Sequence, residues 1–270
     1  MIDGLKFGKY SVPCTRGHGA HDSKVVAIDL HGQHIRDSAP FPDNRRITFW
    51  FEVYDALNYE HGQWCHGNSA VSEGILKQGV WESYETRLML EIFHEPKGHV
   101  LDFGANMGWY TVIAALHGHD VIAFEMEPET AQVLDRNVHR NDCTDRVKIV
   151  ETFIDDKTPR LAADTDVLLL KSDVEGSEFA VVDCCWDMFE HGRIKYALLE
   201  ISPCFKPGYG ELMQRIMDAG YTAHVVPNKR SGHRERFGLD PIGFTTRAQI
   251  SDPIEFVGAI RQENVLMVRR

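Results

Sequence analysis

The chain has 270 residues, 26% charged and 43% hydrophobic, enough for one sizeable buried core. Its formal net charge of −11 argues against a broad basic face for a nucleic-acid backbone, so no nucleic-acid partner is expected. The six cysteines form no C-x-x-C pair, and there is neither a signal-type N-terminus nor an apolar run of membrane-spanning length, so a cytoplasmic protein with free thiols and no membrane partner is expected.

Residues 1–78 read as an irregular extension, rich in aromatic residues and histidine. Phe49, Trp50, Phe51, Tyr54, Tyr59, Trp64 and Trp81 are expected to pack between it and the rest of the chain. His31, His34, His61 and His66 read as scattered polar side chains rather than metal ligands. From residue 79 onward, short apolar runs alternate with helix-period segments, the pattern of a parallel sheet with crossover helices. The first strand is His99–Phe103. Gly104 and Gly108 follow it, and a helix runs from Trp109 to His117, ended by Gly118. Val121–Glu125 is the second strand. Pro128 opens a helix with Ala131, Leu134 and Val138 on one face. Val147–Val150 is a third strand. Val167–Leu170 is a fourth, uniformly apolar, as a central strand buried on both faces should be. A helix over Glu178–Phe189, a strand over Tyr196–Glu200, a helix through Leu212 and Ile216, and a strand over Tyr221–Val226 complete the alternation. A long linker carrying the basic stretch Lys229–Arg236 leads to a final strand, Val265–Val268.

Chemistry concentrates after the first strand, in Leu101-Asp102-Phe103-Gly104-Ala105-Asn106-Met107-Gly108. A strand that turns tightly into a helix needs glycine where the backbone lies close to a ligand. The helix N-terminus then offers free N–H groups. Glu125 ends the second strand, roughly 20 residues on, where a carboxylate can accept both ribose hydroxyls of an adenosine. The turn lacks the third glycine of a dinucleotide fingerprint, and Asp102 is awkward beside a pyrophosphate. An adenosyl ligand with a cationic amino group, S-adenosylmethionine, fits better than NAD.

A second constellation, Leu170-Lys171-Ser172-Asp173-Val174-Glu175-Gly176-Ser177-Glu178, follows the fourth strand. In a parallel sheet it emerges beside the glycine turn. Three acids and a lysine around one glycine are costly without a partner. Glu178 reads as a helix N-terminal acid, whereas Asp173 is a candidate for direct ligand or catalytic work. Glu200, ending the fifth strand, is a weaker candidate. Cys184-Cys185 reads as helix core, and Ser202-Pro203-Cys204 as a structural cysteine.

On these residues the sequence resembles the FkbM family of S-adenosylmethionine-dependent methyltransferases. The matching pieces are Gly79-Val80-Trp81-Glu82, Val100 to Thr111, Ala123-Phe124-Glu125, Asn137, Asn141, and Leu170 to Glu178, with Leu199-Glu200 and the last strand also fitting. The resemblance covers residues 75 to 270. It implies an α/β, Rossmann-like seven-stranded methyltransferase sheet with the last strand antiparallel, preceded here by the N-terminal extension. It further implies that Asp102, Gly104, Asn106, Gly108, Trp109 and Tyr110 line the cofactor's site, that Glu82 helps close the pocket, that Glu125 binds the ribose, and that Asp173 and Glu175 sit near the transferred methyl. Gly176 stands where catechol O-methyltransferases carry a lysine base, so a metal is not expected. Asp173 and Glu200 are the residues that a Mg²⁺ site would use.

The resulting expectation is an S-adenosylmethionine-dependent O-methyltransferase acting on a small molecule or glycan. Residues 79–270 would form the cofactor-binding domain, and residues 1–78 an extension or cap where the acceptor is recognised. Competing readings are a non-catalytic adenosyl-binding protein, a nucleic-acid methyltransferase and a Rossmann dehydrogenase.

Overall fold

A computed structural model describes residues 23–30, 47–54, 68–161, 165–226 and 248–270. Strands β1 (Ser23–Leu30) and β2 (Ile47–Tyr54) form an antiparallel ribbon, followed by helices α1 (Asn68–Gln78) and α2 (Ser83–Phe93). The alternating part comprises β3 (His99–Phe103), α3 (Trp109–Leu116), β4 (Asp120–Glu125), α4 (Pro128–Arg140), β5 (Val147–Glu151), β6 (Val167–Ser172), α5 (Glu178–Cys184), α6 (Trp186–Glu190), β7 (Ile194–Ile201), α7 (Tyr209–Asp218) and β8 (Tyr221–Val225). It closes with β9 (Gln249–Ile250), α8 (Pro253–Ala259) and β10 (Glu263–Arg269).

The main sheet has the order β5-β4-β3-β6-β7-β10-β8-β9. β5, β4, β3, β6 and β7 are parallel, and β10 runs antiparallel between β7 and β8. This is the α/β sheet that the sequence pattern predicts, with the reversed last strand that the family resemblance implies. β9 adds an eighth, two-residue member beside β8. It lies, with α8, in the stretch read as linker. The start of α8 was legible there: Pro253 occupies its first turn and the Asp252 side chain accepts the Glu255 N–H at 2.9 Å.

Successive residues of the central strands enter opposite layers. Val100, Val121 and Leu169 join the ribbon and α1 to α4, while Leu101, Ile122 and Leu170 join α5 to α8. The helix expected over 178–189 is broken at Cys184 and Cys185. The Cys184 carbonyl accepts the Leu161 N–H at 2.6 Å, so it is spent outside the helix. Both thiols are buried, as expected of helix core.

The described part of the extension is more regular than its sequence suggested. In β2, Phe49, Phe51 and Val53 are buried and Trp50 is exposed. Phe49 and Phe51 pack on Trp109 of α3, at 5.5 and 5.4 Å between ring centroids. Tyr54 and Trp81 are partly buried against the same core. Tyr59, Trp64, His31, His34, His61, His66 and the basic stretch 229–236 lie outside the described residues.

The edge of β2 away from β1 is met by side chains. Asn137 Oδ1 accepts the Glu52 N–H at 2.5 Å, and its Nδ2 donates to the Glu52 carbonyl at 3.0 Å. Asn141, one helical turn on, takes the N–H and carbonyl of Trp50 at 3.0 and 2.7 Å. Ser72 Oγ accepts the Tyr54 N–H at 3.1 Å. The spacings explain the match: four residues of helix rise about 6 Å and two residues of strand about 6.6 Å. Arg136 and Arg140 both pair with the buried Glu52 carboxylate, at 2.8 and 3.0 Å.

Candidate functional site

The chain leaves β3 toward β4 on one side and β6 toward β7 on the other, so the strand order reverses between β3 and β6. Open α/β sheets bind their ligands beyond the carboxyl ends of the strands at such a point. The turn after β3 lies there. Gly104 and Gly108 have φ of 73° and 91°, and Asn106 has φ 53°. A Cβ on Gly108 would lie 2.3 Å from Leu134 Cδ1, so a side chain there must displace the end of Leu134 as well as strain the backbone. The turn is pinned to β4, with Gly104 and Ala105 donating to the Phe124 carbonyl at 3.0 and 2.9 Å.

Glu125 is buried at the end of β4. Its Oε2 accepts the Asn106 N–H at 2.8 Å and its Oε1 the Glu127 N–H at 2.9 Å. Each oxygen keeps capacity for one more donor. Burial raises its pKa, and the backbone N–H groups of Glu127, Asn106 and Met126 and the Lys171 charge oppose that rise.

Asp102, 1% exposed, accepts the Thr111 hydroxyl at 2.6 Å on Oδ2. Its Oδ1 has no hydrogen-bond donor but lies 3.6 Å from the Lys171 ammonium. Lys171 also lies 3.5 Å from Asp173 Oδ2 and donates to the Gly104 carbonyl at 2.9 Å. Burial disfavours its charge, but Asp173, Asp102, Glu82 and Glu200 together hold its pKa above the ordinary lysine value. The ammonium stands 5.7 Å over the Tyr110 ring.

Tyr110 is buried on α3 and donates its hydroxyl to Glu82 at 2.8 Å. Glu82 precedes α2 with φ 41°. Burial, reinforced by Glu85 and Asp173, pushes its carboxyl up to about 8. Trp109 is not brought into this group. Its ring packs under the ribbon, and its Nε1 donates to Thr86 at 2.8 Å. Adjacent residues at a helix start face different ways, so Tyr110 meets Glu82 and Lys171, and Trp109 the ribbon core.

One carboxylate oxygen from each of Asp173, Glu175 and Glu200 lies within 4.8 Å of the others. Asp173 and Glu175 sit in the loop after β6, and Glu200 near the end of β7. Burial and then Asp173 push the Glu200 carboxyl up to about 8. Its Oε1 accepts from Gln262, and its Oε2 is buried without a hydrogen-bond partner. Burial, Asp173 and Glu178 raise the Glu175 pKa. Such a carboxylate set suits a cation, organic or metallic. Glu178 has a different task. Its carboxylate accepts the Val174 and Gly176 N–H groups at 3.1 and 3.0 Å and the Tyr209 hydroxyl, holding the loop in shape.

Among the described residues, four that are not glycine have positive φ: Glu82, Asn106, Asp142 and Glu175. Three of the four belong to this site, where held-in strain usually marks a functional arrangement. The reading from sequence missed Thr111, Gln262 and the bridging place of Lys171. Only Lys171 left a trace, as a lone cation at the end of an apolar strand.

No family model matches the chain, and no curated protein sequence matches it. Among solved structures, it is similar to the METTL16 MTase domain at 12% identity and TM-score 0.42, covering 68% of this chain and 66% of that one. It is similar to a precorrin-6y C5,15-methyltransferase from Geobacter metallireducens at 12% identity and TM-score 0.42, covering 71% and 90%. It is also similar to a TehB-like SAM-dependent methyltransferase from Corynebacterium glutamicum at 14% identity and TM-score 0.42, covering 73% and 94%. Scores of this size leave the site's chemistry to this chain's own residues.

Proposed function

We propose that the chain is an S-adenosylmethionine-dependent methyltransferase that methylates a hydroxyl of a small molecule or glycan. The observation that carries this reading is the meeting of the Gly104–Gly108 turn, Glu125 and Asp173 at the carboxyl ends of β3, β4 and β6. The donor set fits the cofactor. Glu125 has spare acceptor capacity for two ribose hydroxyls. Met126 and Phe153, exposed just beyond β4 and β5, offer apolar surface to an adenine ring. Asp102, Asp173, Glu82 and Glu200 suit a ligand that carries ammonium and sulfonium charges.

Bound there, the cofactor supplies an activated methyl group, and the protein's work is alignment and proton removal. Asp173 orients the acceptor hydroxyl and takes the proton it loses, and Glu175 assists. Glu82 closes the pocket over Tyr110. The resemblance to the FkbM family supports these assignments, with residues 79–270 as the cofactor-binding part and 1–78 as the cap toward the acceptor.

Titration calorimetry with S-adenosylhomocysteine and with NAD tests the cofactor: micromolar binding of the first and none of the second is expected. NAD binding alone would restore the dehydrogenase reading. With an acceptor in hand, Asp173→Asn should lose turnover at least a hundredfold even at saturating S-adenosylmethionine, and full turnover would remove Asp173 from the reaction. Loss of activity with rising salt on an RNA or DNA acceptor would indicate a nucleic-acid methyltransferase instead.

A further inference from the structure

Lys171 is the least expected side chain of the central sheet. It stands on β6 between Leu170 and Ser172, its side chain 7% exposed, in register with Asp102 on β3. A buried ammonium is tolerated only when paired and hydrogen-bonded. Here the partners come from three separate places: Asp102 inside β3, the Gly104 carbonyl in the turn, and Asp173 in the loop after β6. Turn and loop also meet directly, with Asp173 donating its N–H to the Phe103 carbonyl at 3.1 Å. The charged and titratable groups facing the ammonium are Asp102, Asp173, Glu82, Glu200 and Tyr110. Asp102 and Asp173 have no other ion-pair partner among the described residues.

We propose that Lys171 is a positioning residue: its ammonium ties Asp102, Gly104 and Asp173 into the arrangement that receives the amino-acid end of the cofactor. The inference rests on the S-adenosylmethionine reading above and adds a residue to it. Without the ammonium, Asp102 keeps only the Thr111 hydroxyl, and its second oxygen is buried with nothing to meet. Asp102 must then take a proton or shift, and the Gly104 carbonyl loses its donor. Asp173 loses the charge that fixes its carboxylate beside the turn. The effect is one of charge at a defined point rather than of volume, because an apolar side chain fills the same space.

The test is S-adenosylhomocysteine affinity, measured by calorimetry on the full chain. Lys171→Met, which keeps the stem, and Lys171→Ala should each weaken binding at least tenfold. In Lys171→Ala, propylammonium should restore most of the affinity, and propanol, of the same size without charge, should not. Affinity within twofold of the unsubstituted protein in Lys171→Met, or equal rescue by propanol, overturns the proposal. The unsubstituted protein gives a readout that needs no variant: the ¹⁵N resonance of the Lys171 ammonium should move when S-adenosylhomocysteine is added. A resonance indifferent to the ligand, with binding seen by calorimetry, also overturns it. No binding by the unsubstituted protein overturns the cofactor reading, and this inference with it.

Discussion

A methyl group placed on Gly104 would sit 1.8 Å from the backbone oxygen of Asp173. The turn after β3 and the loop after β6 therefore touch backbone to backbone, and glycine is the only residue that allows it. Gly104→Ala must push the two apart and also strain a φ of 73°. We predict a loss of about 2–4 kcal/mol in urea unfolding and no detectable binding of S-adenosylhomocysteine. A stable Gly104→Ala protein that binds normally would show that the contact is dispensable.

The buried amide of Asn137 also reaches the Met107 carbonyl at 2.9 Å, besides clasping Glu52. Asn137→Ala leaves the N–H of Glu52 and two carbonyls without it. The expected cost is about 2–4 kcal/mol by denaturant unfolding. Asn141, which holds the exposed Trp50, should cost less than about 1.5 kcal/mol when truncated to Ala. Equal costs at the two positions would contradict the difference in burial on which the prediction rests.

Glu125 holds the turn through Asn106 and is the proposed ribose acceptor. Glu125→Gln puts an NH₂ group against one of two backbone N–H donors. Binding of S-adenosylhomocysteine should weaken about 10–100-fold. The melting temperature should fall by only a few degrees, since the fold around β4 remains packed. Unchanged affinity, measured by calorimetry, would move the ribose elsewhere.

Glu82 and Glu200 titrate at about 8 in the folded protein, against 4.5 for an ordinary glutamate. Between those values the folded protein holds protons that the unfolded chain has released. Stability therefore falls as pH rises through the window, and the loss is complete above the folded values. Scanning calorimetry should show a melting temperature that drops from about pH 4.5 to about pH 8, less steeply in Glu200→Gln. A cationic ligand prefers the ionised carboxylates, so S-adenosylmethionine should release protons on binding and bind more tightly over the same range. A flat or rising melting temperature would show that neither group holds its proton.

The alternation of strands and helices from His99 to Val225 was legible because each buried strand is short, apolar and followed by a turn residue. The site's carboxylates were legible for a related reason. Asp102, Glu125, Asp173 and Glu200 stand at or near the ends of such strands, where a parallel sheet exposes its chemistry. Less visible was everything that depends on what a residue meets across the chain. Lys171 gains its place from Asp102, 69 positions earlier. Trp109 and Tyr110 are neighbours in sequence and share one core layer, but only Tyr110 reaches Glu82 and Lys171. β2 was missed although Phe49, Phe51 and Val53 alternate, because the sequence around it is rich in histidine and shows no clear period. The break at Cys184 comes from Leu161, which no local pattern announces.

The left-handed conformations at Glu82, Asn106 and Glu175 have a consequence for how the protein has been shaped. A residue with a side chain costs about 1 kcal/mol there relative to glycine. At Glu175 glycine should thus leave the melting temperature unchanged or higher, whereas Glu82→Gly also takes the acceptor from the buried Tyr110 hydroxyl and should lower it. Strain that works against the stability of the fold is carried by residues placed around the proposed site.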